Sequence, residues 1–519
     1  MAHILILGGG AAGLAAALAA AQAAPSARVT VLERNPKVGK KLLATGNGRC
    51  NLDNTAIAPE KYFTADPAAL RPLLAAVDAA APLAWFEQLG LYTRTDEAGR
   101  VYPYSNQAAD VLALLELHLQ RHTVQLRTGC TVSTLRQSKG GYAVQFANPE
   151  GDMESLRADA VICAMGGAAG PQFGTDGFGT RFAAACGGQM RPLYPCLTAL
   201  QCVRPNKSLA GIRAKAAARL LDGDRVLAEE MGEVQFTDYG LSGICIMQLS
   251  GLLAPGRRPR APVVELDLFP ELSEMDLTRL LARHAIQTAS DTLAGFWTGL
   301  LNVKLGYALW EAANMPNNRS VKQMQPLAHV AKHWRFEGLT PCGWRQAQTT
   351  GGGLALIEVE PTFQFRGCPG LYFVGETLDC AGSCGGFNLH WAFGSGLAAG
   401  QTAAVIGDGT IGLMTLIAAK SQGAQVCISG HHTRPMQLAA QLGALDCAQL
   451  PQLTAERGAD VVYDAVGSQS SFTQAMELVR KGGRISATAA AVGTLLGIKP
   501  IITCSPEGSY IVAAKPRGI

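Results

Sequence analysis

The sequence predicts an α/β protein that contains Rossmann-type parallel sheets. The apolar run from His3 to Leu7 leads into a glycine-rich turn, and an alanine-rich helix-forming stretch follows it. The next apolar run, Val29 to Leu32, ends at the acidic residue Glu33. A second strand–glycine–helix pattern begins after Gly400. Short apolar runs joined through glycines and helices are typical of buried parallel strands.

The first turn carries glycines at positions 8, 10 and 13, with the spacing Gly-x-Gly-x-x-Gly. In a dinucleotide site Gly8 permits the tight turn, Gly10 lets the backbone approach a pyrophosphate, and Gly13 lets the helix pack closely on the strand. The helix N-terminus offers unpaired N–H groups to phosphates. Glu33 would accept hydrogen bonds from ribose hydroxyls and repel a 2′-phosphate, which favours FAD or NAD over NADP. The alternative is a strand–turn–helix unit without a ligand.

Length and composition narrow the classes of protein. A chain of 519 residues exceeds one ordinary core, so we expect about two to four domains. The formal net charge of +4 gives no reason to expect nucleic acid or an anionic membrane as a partner. We interpret the N-terminal run as a strand and not as a signal peptide, and we expect no transmembrane segment because the stretch from Ala11 to Ala24 is too short.

The cysteines predict free thiols. Many lie in apolar runs, such as Cys163 in AVICAMGG, and no Cys-x-x-Cys pair occurs. Buried free thiols are typical of a reducing compartment, so we expect a cytoplasmic protein. Because the cysteines lack the spacing that metal ligands have, the sequence also predicts no metal site. The scattered histidines at 284, 329 and 333 are expected to be surface or hydrogen-bonded residues and not ligands.

Five segments within residues 1–402 are more specific than the glycine pattern. They read GGGAAGLAAALAAA, VLERNPKVGKKLLATGNGRCNLDN, VICAMGGAAGPQFGTDGFGTRFA, GEVQFTDYGLSGICIMQLS and GLYFVGETLDCAGSCGGFNLHWAFGSGLAAG. In this order they resemble the bacterial BaiN-like, or aminoacetone-oxidase-type, FAD-binding flavoproteins. The resemblance implies a two-part FAD-binding Rossmann-type domain formed by residues 1–190 and 350–402. It also implies that residues 191–349 form an inserted β-barrel and helical substrate subdomain.

The resemblance also implies a set of cofactor-binding residues. In chain order they are Gly8, Gly10, Gly13, Glu33, Lys41, Asn47, Arg49, Val132, Gly166, Gly167, Gly375, Glu376, Gly385, Gly386, Phe387 and Asn388. Lys41, Asn47 and Arg49 would lie near the flavin, although their spacing alone also fits a solvated basic loop. Glu376 would take a ribityl hydroxyl. The segment from Gly385 to Asn388 would line the isoalloxazine at a helix N-terminus, which can stabilise negative charge on reduced flavin.

No pattern identifies a catalytic acid or base. Cys380 and Cys384 are candidates for a redox-active pair beside the flavin, and the alternative is two small residues that pack near the ring. His390 is a candidate proton donor, and the alternative is a packing role inside a helix. The catalytic residues are therefore left open.

The last part of the chain follows a different pattern. Residues 403–485 resemble the cofactor domain of medium-chain zinc-type alcohol dehydrogenases and predict a partial second Rossmann-like domain. No acid follows its second strand, which ends at Ser429, so NADP or no ligand is as plausible as NAD. Residues 486–519 resemble a fragment of DegV-type fatty-acid-binding proteins. We interpret the chain as a gene fusion in which residues 403–519 are less stable and dispensable for FAD binding.

The predicted function is that of an FAD-dependent oxidoreductase with a small-molecule substrate. It would pass a hydride between the flavin and either NAD(P)H as electron donor or a small organic substrate. The family names imply bile-acid-type alkene reduction or aminoketone oxidation, and the residues do not choose between them. The alternatives are a non-catalytic cofactor-binding or sensor protein and an NAD(P)-binding module in the C-terminal segment. The oligomeric state is not predicted.

Overall fold

The computed structural model describes residues 2–405, apart from short gaps at 80, 139–140, 257–258, 289–291 and 317–323, and beyond 405 it describes only strands. The helices are α1 (Ala11–Ala23), α2 (Pro67–Ala79), α3 (Pro82–Gln88), α4 (Ala108–Arg121), α5 (Phe178–Ala185), α6 (Ile244–Ser250), α7 (Glu274–Thr288), α8 (Leu293–Trp297), α9 (Val303–Ala312), α10 (Met324–Lys332) and α11 (Phe387–Val405).

The strands fall into several sheets. In chain order they are β1 (His3–Leu7), β2 (Arg28–Glu33), β3 (Asp53–Asn54), β4 (Tyr62–Phe63), β5 (Thr93–Thr95), β6 (Arg100–Pro103), β7 (Gln125–Thr128), β8 (Thr131–Ser138), β9 (Gly141–Ala147), β10 (Met153–Ala158), β11 (Ala160–Cys163), β12 (Met190–Cys196), β13 (Leu200–Gln201), β14 (Arg213–Asp222), β15 (Arg225–Phe236), β16 (Gly240–Ser242), β17 (Pro262–Asp267), β18 (Trp334–Phe336), β19 (Thr340–Pro341), β20 (Thr349–Leu354), β21 (Leu371–Phe373), β22 (Ala381–Gly382), β23 (Cys427–Ile428), β24 (Leu445–Asp446), β25 (Ala459–Asp464), β26 (Val479–Ala487), β27 (Ile501–Cys504) and β28 (Tyr510–Ala514).

A parallel sheet of five strands forms the centre of the first compact unit, Met1–Ala404. Its order is β21-β11-β1-β2-β7, and β1 pairs in parallel with both β11 and β2. The central residues Leu5, Ile6 and Leu7 are fully buried, as expected for a parallel strand that is covered on both faces. The α/β fold class is therefore confirmed.

Small side chains bring α1 and α11 into close contact. A Cβ atom at Gly396 would lie 2.2 Å from the carbonyl oxygen of Ala12, and one at Gly400 would lie 2.4 Å from that of Ala16. Helix α1 consists mainly of alanine, and nearly all of it is buried. The two helices can approach this closely because neither has a large side chain at the contact.

A second hydrophobic core lies between residues 200 and 339. Here a seven-stranded antiparallel sheet has the order β18-β17-β14-β15-β16-β13-β19. Helices α7 to α10 contribute large buried side chains to this core, among them Phe296, Trp297 and Trp310. This sheet and its helices occupy the part of the chain for which the sequence predicts a β-barrel and a helical subdomain.

One helical stretch, Pro67–Gln88, is long and apolar enough to cross a membrane by length and composition alone, whereas the sequence predicts no segment of that length. The structure gives two helices here, α2 and α3, and 44% of the apolar window is buried. The side chains of Leu70, Leu73 and Val77 belong to the first core. A core helix of a water-soluble protein satisfies the same test.

The second compact unit, Val405–Ile519, contains parallel and antiparallel pairs. Strands β23 and β24 are parallel, as are β25 and β26, whereas β26, β27 and β28 pair in antiparallel fashion. The predicted boundary between residues 485 and 486 falls inside β26. The predicted glycine turn after Gly400 and the segment at Ser429 lie outside the described residues.

Candidate cofactor and active site

A cavity of about 700 Å³ lies in the first unit. This volume is within the range of about 300–1,000 Å³ that is usual for ligand and cofactor sites. Its walls include the turn between β1 and α1, the end of β2, the loop after β2, and the first turn of α11. The parallel sheet brings these parts together because the C-terminal ends of β1, β2, β11 and β21 meet at one edge.

The turn after β1 needs glycine for two steric reasons. Gly8 has φ +105°, and a Cβ atom there would lie 2.4 Å from the carbonyl oxygen of Ala164. A Cβ atom at Gly13 would lie only 1.9 Å from the carbonyl oxygen of Gly8. By contrast, a Cβ atom at Gly10 would meet nothing within 4 Å. Gly10 caps α1 and faces the cavity, so the space before the helix N-terminus suits a pyrophosphate.

Glu33 is the last residue of β2 and lines the same cavity. Its Oε2 accepts a hydrogen bond of 2.7 Å from the Gly9 N–H. Its Oε1 accepts hydrogen bonds from the backbone and side-chain nitrogens of Asn35, both at 2.7 Å. A carboxylate oxygen pair has about four acceptor sites, so one remains for a ribose hydroxyl. We call Gly8 to Ala11 together with Glu33 the glycine-turn wall.

A partly buried ion pair connects two predicted cofactor residues. Lys41 Nζ lies 2.6 Å from Glu376 Oε2 and donates to the carbonyl oxygen of Ala169 at 3.1 Å. Glu376 Oε1 accepts from both the backbone N–H and the hydroxyl of Thr350, at 3.0 and 2.6 Å. Glu376 and Lys41 therefore join the loop after β2 to the returning strand β20, and both also line the cavity.

The loop that contains Asn47 has an unusual backbone. Gly46, Asn47 and Cys50 all have φ between 56° and 58°, a left-handed conformation that non-glycine residues rarely adopt. The guanidinium of Arg49 lies 4.9 Å from the ring centroid of Tyr102, which is a cation–π distance. This contact holds Arg49 beside the cavity, which both side chains line.

The segment before α11 contributes a third part of the site. Gly385 and Gly386 have φ +117° and +109°, and a Cβ atom at Gly386 would lie 2.1 Å from the carbonyl oxygen of Asp53. Asn54 Nδ2 donates to the carbonyl oxygen of Gly385 at 2.7 Å. The Asn388 side chain exchanges two hydrogen bonds with the backbone six residues earlier. We call Arg49, Tyr102, Gly385, Gly386 and Asn388 the composite wall.

All but three of the predicted cofactor residues line the cavity; the exceptions are Gly13, Gly167 and Phe387. Gly13 packs against the carbonyl oxygen of Gly8 and does not face the cavity. A Cβ atom at Gly167 would lie 2.3 Å from the Thr350 hydroxyl, so glycine here makes room for the Lys41–Glu376 network. Phe387 is buried against Tyr62, with ring centroids 6.1 Å apart. These three glycine and aromatic positions support the walls from outside the cavity.

The two cysteines of the proposed redox pair both border the cavity and are free. Burial raises the pKa of Cys380 well above its ordinary value. Burial, together with the nearby charge of Glu230, raises the pKa of Cys384 to about 12. Both groups are therefore thiols at neutral pH, whereas thiol–disulfide exchange needs a thiolate. The chemistry of the site thus favours the packing alternative.

His390 does not line the cavity. Its Nδ1 lies 3.0 Å from Asp53 Oδ1, and its Nε2 lies 3.1 Å from Asp78 Oδ1. Its backbone N–H donates to the carbonyl oxygen of Gly386 at 3.0 Å. Because both ring nitrogens are occupied by carboxylates, the geometry favours a role in holding Asp53 and the composite wall over proton donation to a substrate.

The histidines at 284, 329 and 333 each have a polar partner. His284 Nε2 lies 2.7 Å from the carbonyl oxygen of Phe296. His329 and His333 lie beside Glu274 at the surface, a grouping that the scattered sequence positions did not predict.

Several cavity residues were not identified from the sequence. They are Asn35, Asn51, Arg100, Tyr102, Ile244, Met247, Arg345, Gln348 and Trp391. Asn51 belongs to the GNGRCN segment, so the resemblance contained a signal for it. Asn35, Ile244, Met247 and Trp391 also lie in segments that carry the resemblance, whereas no local pattern marks Arg100, Tyr102, Arg345 or Gln348.

The fit of FAD can be judged from the walls. The open space before Gly10, the carboxylate of Glu33 and the guanidinium of Arg49 supply a place for a pyrophosphate, a ribose acceptor and a cation, while Lys41 is paired with Glu376. The residues present therefore suit a flavin dinucleotide.

Comparisons with known proteins agree with this site. The HI0933-like protein Rossmann domain matches residues 2–402. The 3-dehydro-bile acid delta(4,6)-reductase of Clostridium scindens is 37% identical over 412 residues, which is 78% of this chain and 99% of that protein. The ribosomal RNA dihydrouridine synthase of Escherichia coli is 27% identical over 407 residues, which is 76% of this chain and 96% of that protein.

The C-terminal segment matches a different family. The zinc-binding dehydrogenase family matches residues 410–505. This match extends beyond the boundary that the sequence predicts at residue 485. The DegV-type resemblance of the last residues stays a prediction. The L-threonine 3-dehydrogenase of Bacillus subtilis is 36% identical over 96 residues, and the match covers 28% of that enzyme.

The predictions of an oxidoreductase and of FAD as its cofactor are therefore confirmed, and over residues 2–402 the chain belongs to the HI0933-like family of FAD-binding Rossmann proteins.

Proposed function

We propose that this flavoenzyme reduces a carbon–carbon double bond conjugated to a carbonyl group in a small, largely apolar substrate. The activities for which two full-length relatives are named support this reaction class. One is a reductase of a 3-dehydro-bile acid at positions 4 and 6, and the other makes dihydrouridine. In both cases the reduced bond is conjugated to a carbonyl, although the substrates differ greatly in size and charge.

The observation that carries the proposal is that apolar side chains border the same cavity as the glycine-turn wall. Ile244 is 54% exposed and Met247 lies one helical turn further along α6, and both line the cavity. Arg345 and Gln348 line it as well. These apolar side chains can contact an apolar substrate, while Arg345 or Gln348 orients its carbonyl.

The residues of the chain have separable tasks in this reaction. The glycine-turn wall holds the diphosphate and ribose, and Lys41 and Glu376 fix the loop after β2 against β20. When bound, FAD supplies the hydride transfer between a donor and the substrate. We propose NADH or NADPH as that donor. The composite wall borders the cavity near the start of α11, where backbone N–H groups favour negative charge.

The test is an anaerobic half-reaction. The purified holoprotein is reduced with NADH or NADPH and then mixed with a 3-oxo-Δ4,6 bile acid, with the saturated 3-oxo analogue as matched control. We expect stoichiometric reoxidation of the flavin by the conjugated ketone alone. If only oxygen reoxidises it, or if aminoacetone reduces the oxidised flavin, the proposed reaction is wrong.

The same assay separates a small substrate from RNA. The net charge of +4 over 519 residues supplies little of the phosphate attraction that dominates nucleic-acid binding, so we propose that the enzyme does not act on RNA. Unmodified ribosomal RNA serves as the competing acceptor. Faster flavin reoxidation by RNA than by the conjugated ketone would contradict this part of the proposal.

Two further expectations concern the chain as a whole. Every cysteine whose side chain the structure describes is free, which supports the proposed cytoplasmic location. Residues Met1–Ala404 form one compact unit, so we propose that the segment beyond it is dispensable for FAD binding. A chain ended after Val405, which keeps all of α11, should retain the yellow cofactor, and a colourless product would contradict this.

A further inference from the structure

Three side chains with metal-binding atoms meet on the surface of the second core. Glu274 is the first residue of α7. His329 lies on α10, and His333 follows the end of that helix with its N–H still donating to the His329 carbonyl oxygen at 2.9 Å. Because residues four apart on a helix face the same side, both imidazoles point toward Glu274.

The distances suit a shared ion. Glu274 Oε2 lies 3.1 Å from His329 Nδ1 and 3.8 Å from His333 Nε2, and one potential ligand atom from each of the three residues lies within 4.8 Å of the others. Metal–nitrogen and metal–oxygen bonds of about 2.0–2.2 Å in a tetrahedron place ligand atoms roughly 3.3 Å apart. The Glu274–His329 distance is close to this value and the Glu274–His333 distance is longer, so the site needs a small adjustment. The two imidazoles are partly exposed, with 58% and 34% of their side-chain surface accessible, which leaves space for it.

One imidazole also has the outer contact that metal-binding histidines usually have. His333 Nδ1 lies 3.1 Å from Glu265 Oε1, which leaves Nε2 to face Glu274. Glu265 itself is 5% exposed and is held by Arg335 at 3.0 Å. A carboxylate on the far nitrogen fixes the tautomer and orientation of a ligating histidine.

The charges around the cluster are compatible with a bound cation. The nearby cations are already paired: Lys332 with Asp267 at 2.8 Å, Arg335 with Glu265 at 3.0 Å and Arg279 with Asp276 at 3.5 Å. Among the described residues, Glu274 has no Lys or Arg ion-pair partner; its neighbours are the two imidazoles and the amide of Gln325 at 3.5 Å. A carboxylate without a fixed cation beside two imidazoles is a suitable set of ligands for a metal.

We propose that Glu274, His329 and His333 bind one divalent transition-metal ion, of the zinc or nickel class, with water at the remaining position. Two imidazoles and one carboxylate suit these ions and do not suit Mg²⁺ or Ca²⁺, which prefer oxygen ligands. The ion would connect the start of α7 to the end of α10 and would stabilise the helical part of the second core.

The experiment measures metal binding by the full-length holoprotein. After chelation and dialysis, the stoichiometry of Ni²⁺ binding is determined by equilibrium dialysis, because Ni²⁺ accepts imidazole ligands readily. We expect the wild type to bind one more equivalent than His329→Ala and His333→Ala. His284→Gln is the matched control, since it removes an imidazole from α7 outside the cluster and should bind as the wild type does.

Two further measurements keep the proposal testable if a variant is unstable. Glu265→Gln keeps the ligands but weakens the outer contact, so we expect affinity to fall by about 10- to 100-fold. Added Zn²⁺ should raise the thermal unfolding temperature of the wild type and not that of His329→Ala. Equal stoichiometry and equal unfolding temperatures in wild type and both alanine variants would overturn the proposal, whatever the flavin activity shows.

Discussion

The two walls of the cofactor cavity are built in different ways. The glycine-turn wall comes from one continuous β1–α1–β2 unit, in which backbone atoms lie so close together that no side chain fits at Gly8 or Gly13. The composite wall combines segments near residues 49, 102 and 385, which hydrogen bonds and a cation–π contact hold together. We therefore expect substitutions in the glycine-turn wall to reduce or abolish FAD binding. Substitutions near the composite wall should instead change the rate of the flavin reaction or the stability of the protein.

The largest effect is expected at Gly13. Gly13→Ala places a methyl group 1.9 Å from the Gly8 carbonyl oxygen, so the turn must move. We expect a loss of about 3 kcal/mol in the free energy of unfolding and loss of bound flavin. Urea unfolding and the flavin absorbance per protein measure both. The control is Gly10→Ala, whose Cβ meets nothing within 4 Å. The Gly10→Ala variant should fold normally and only bind flavin more weakly. An equal loss of unfolding free energy in both variants would contradict the steric difference between the two positions.

Glu33→Gln should have the next largest effect. The carboxylate both anchors the Gly9 N–H and offers an acceptor to the ribose, and hydrogen bonds to charged groups contribute about 1.5–3 kcal/mol. We expect FAD affinity to fall by roughly 10- to 100-fold, measured by flavin fluorescence on titration of the apoprotein. Glu116→Gln, on the exposed face of α4, should leave the affinity unchanged. An unchanged affinity in Glu33→Gln would show that the ribose is held elsewhere.

A smaller, pH-dependent effect is expected at Asp379, a buried residue that precedes the composite-wall residues Gly385 and Gly386 in the chain. Burial raises the pKa of this carboxyl above its ordinary value of 3.8, although hydrogen bonds from Ala65 and Thr64 oppose the shift. As the pH rises, the Asp379 carboxyl therefore loses its proton at a lower pH in the unfolded state than in the folded state. Stability is lost as the pH rises from the unfolded pKa through the folded one.

Asp379→Asn removes this titration and keeps an oxygen that can accept from the Ala65 N–H. The difference in unfolding free energy between the variant and the wild type should grow in favour of the variant as the pH rises from 4 toward neutrality. Urea unfolding across that range measures it. A difference that stays constant with pH would mean that the Asp379 carboxyl titrates normally.

The smallest effect is expected for Cys384→Ser. Because the pKa of Cys384 is raised to about 12, the group stays a protonated thiol at neutral pH. We expect the rate of flavin reduction to change by less than about twofold. The number of free thiols should be the same before and after reduction of the flavin. A change of two thiols would instead establish the Cys380–Cys384 pair as redox-active.

The contrast between the walls also explains what the sequence could predict. Gly8, Gly13 and Glu33 follow from local spacing because one short unit contains all of them. The tight turn at Gly8 and the close packing at Gly13 are the steric reasons that the structure gives, whereas the ribose contact of Glu33 stays a prediction. Tyr102, Ile244 and Gln348 could not be predicted, since their role depends on which elements meet across the fold. Asn388 was identified only through the family resemblance.

The second core shows the same limit on prediction. The sequence gives His329 and His333 a spacing of four, but nothing in it places Glu274, more than fifty residues earlier, beside them. Helix patterns define faces, whereas the pairing of faces is decided by tertiary packing.

The composite wall has a consequence for synthesis of the protein. Its last contributors, Gly385, Gly386 and Asn388, come after more than 380 residues of chain. At about 5–20 residues per second, a ribosome needs roughly 20–80 s to reach them. The β1–α1–β2 unit is synthesised early, but its nucleotide pocket stays incomplete on one side until helix α11 is made and packs on α1. Cofactor loading is therefore expected only after synthesis has passed α11, that is, after about 405 of the 519 residues.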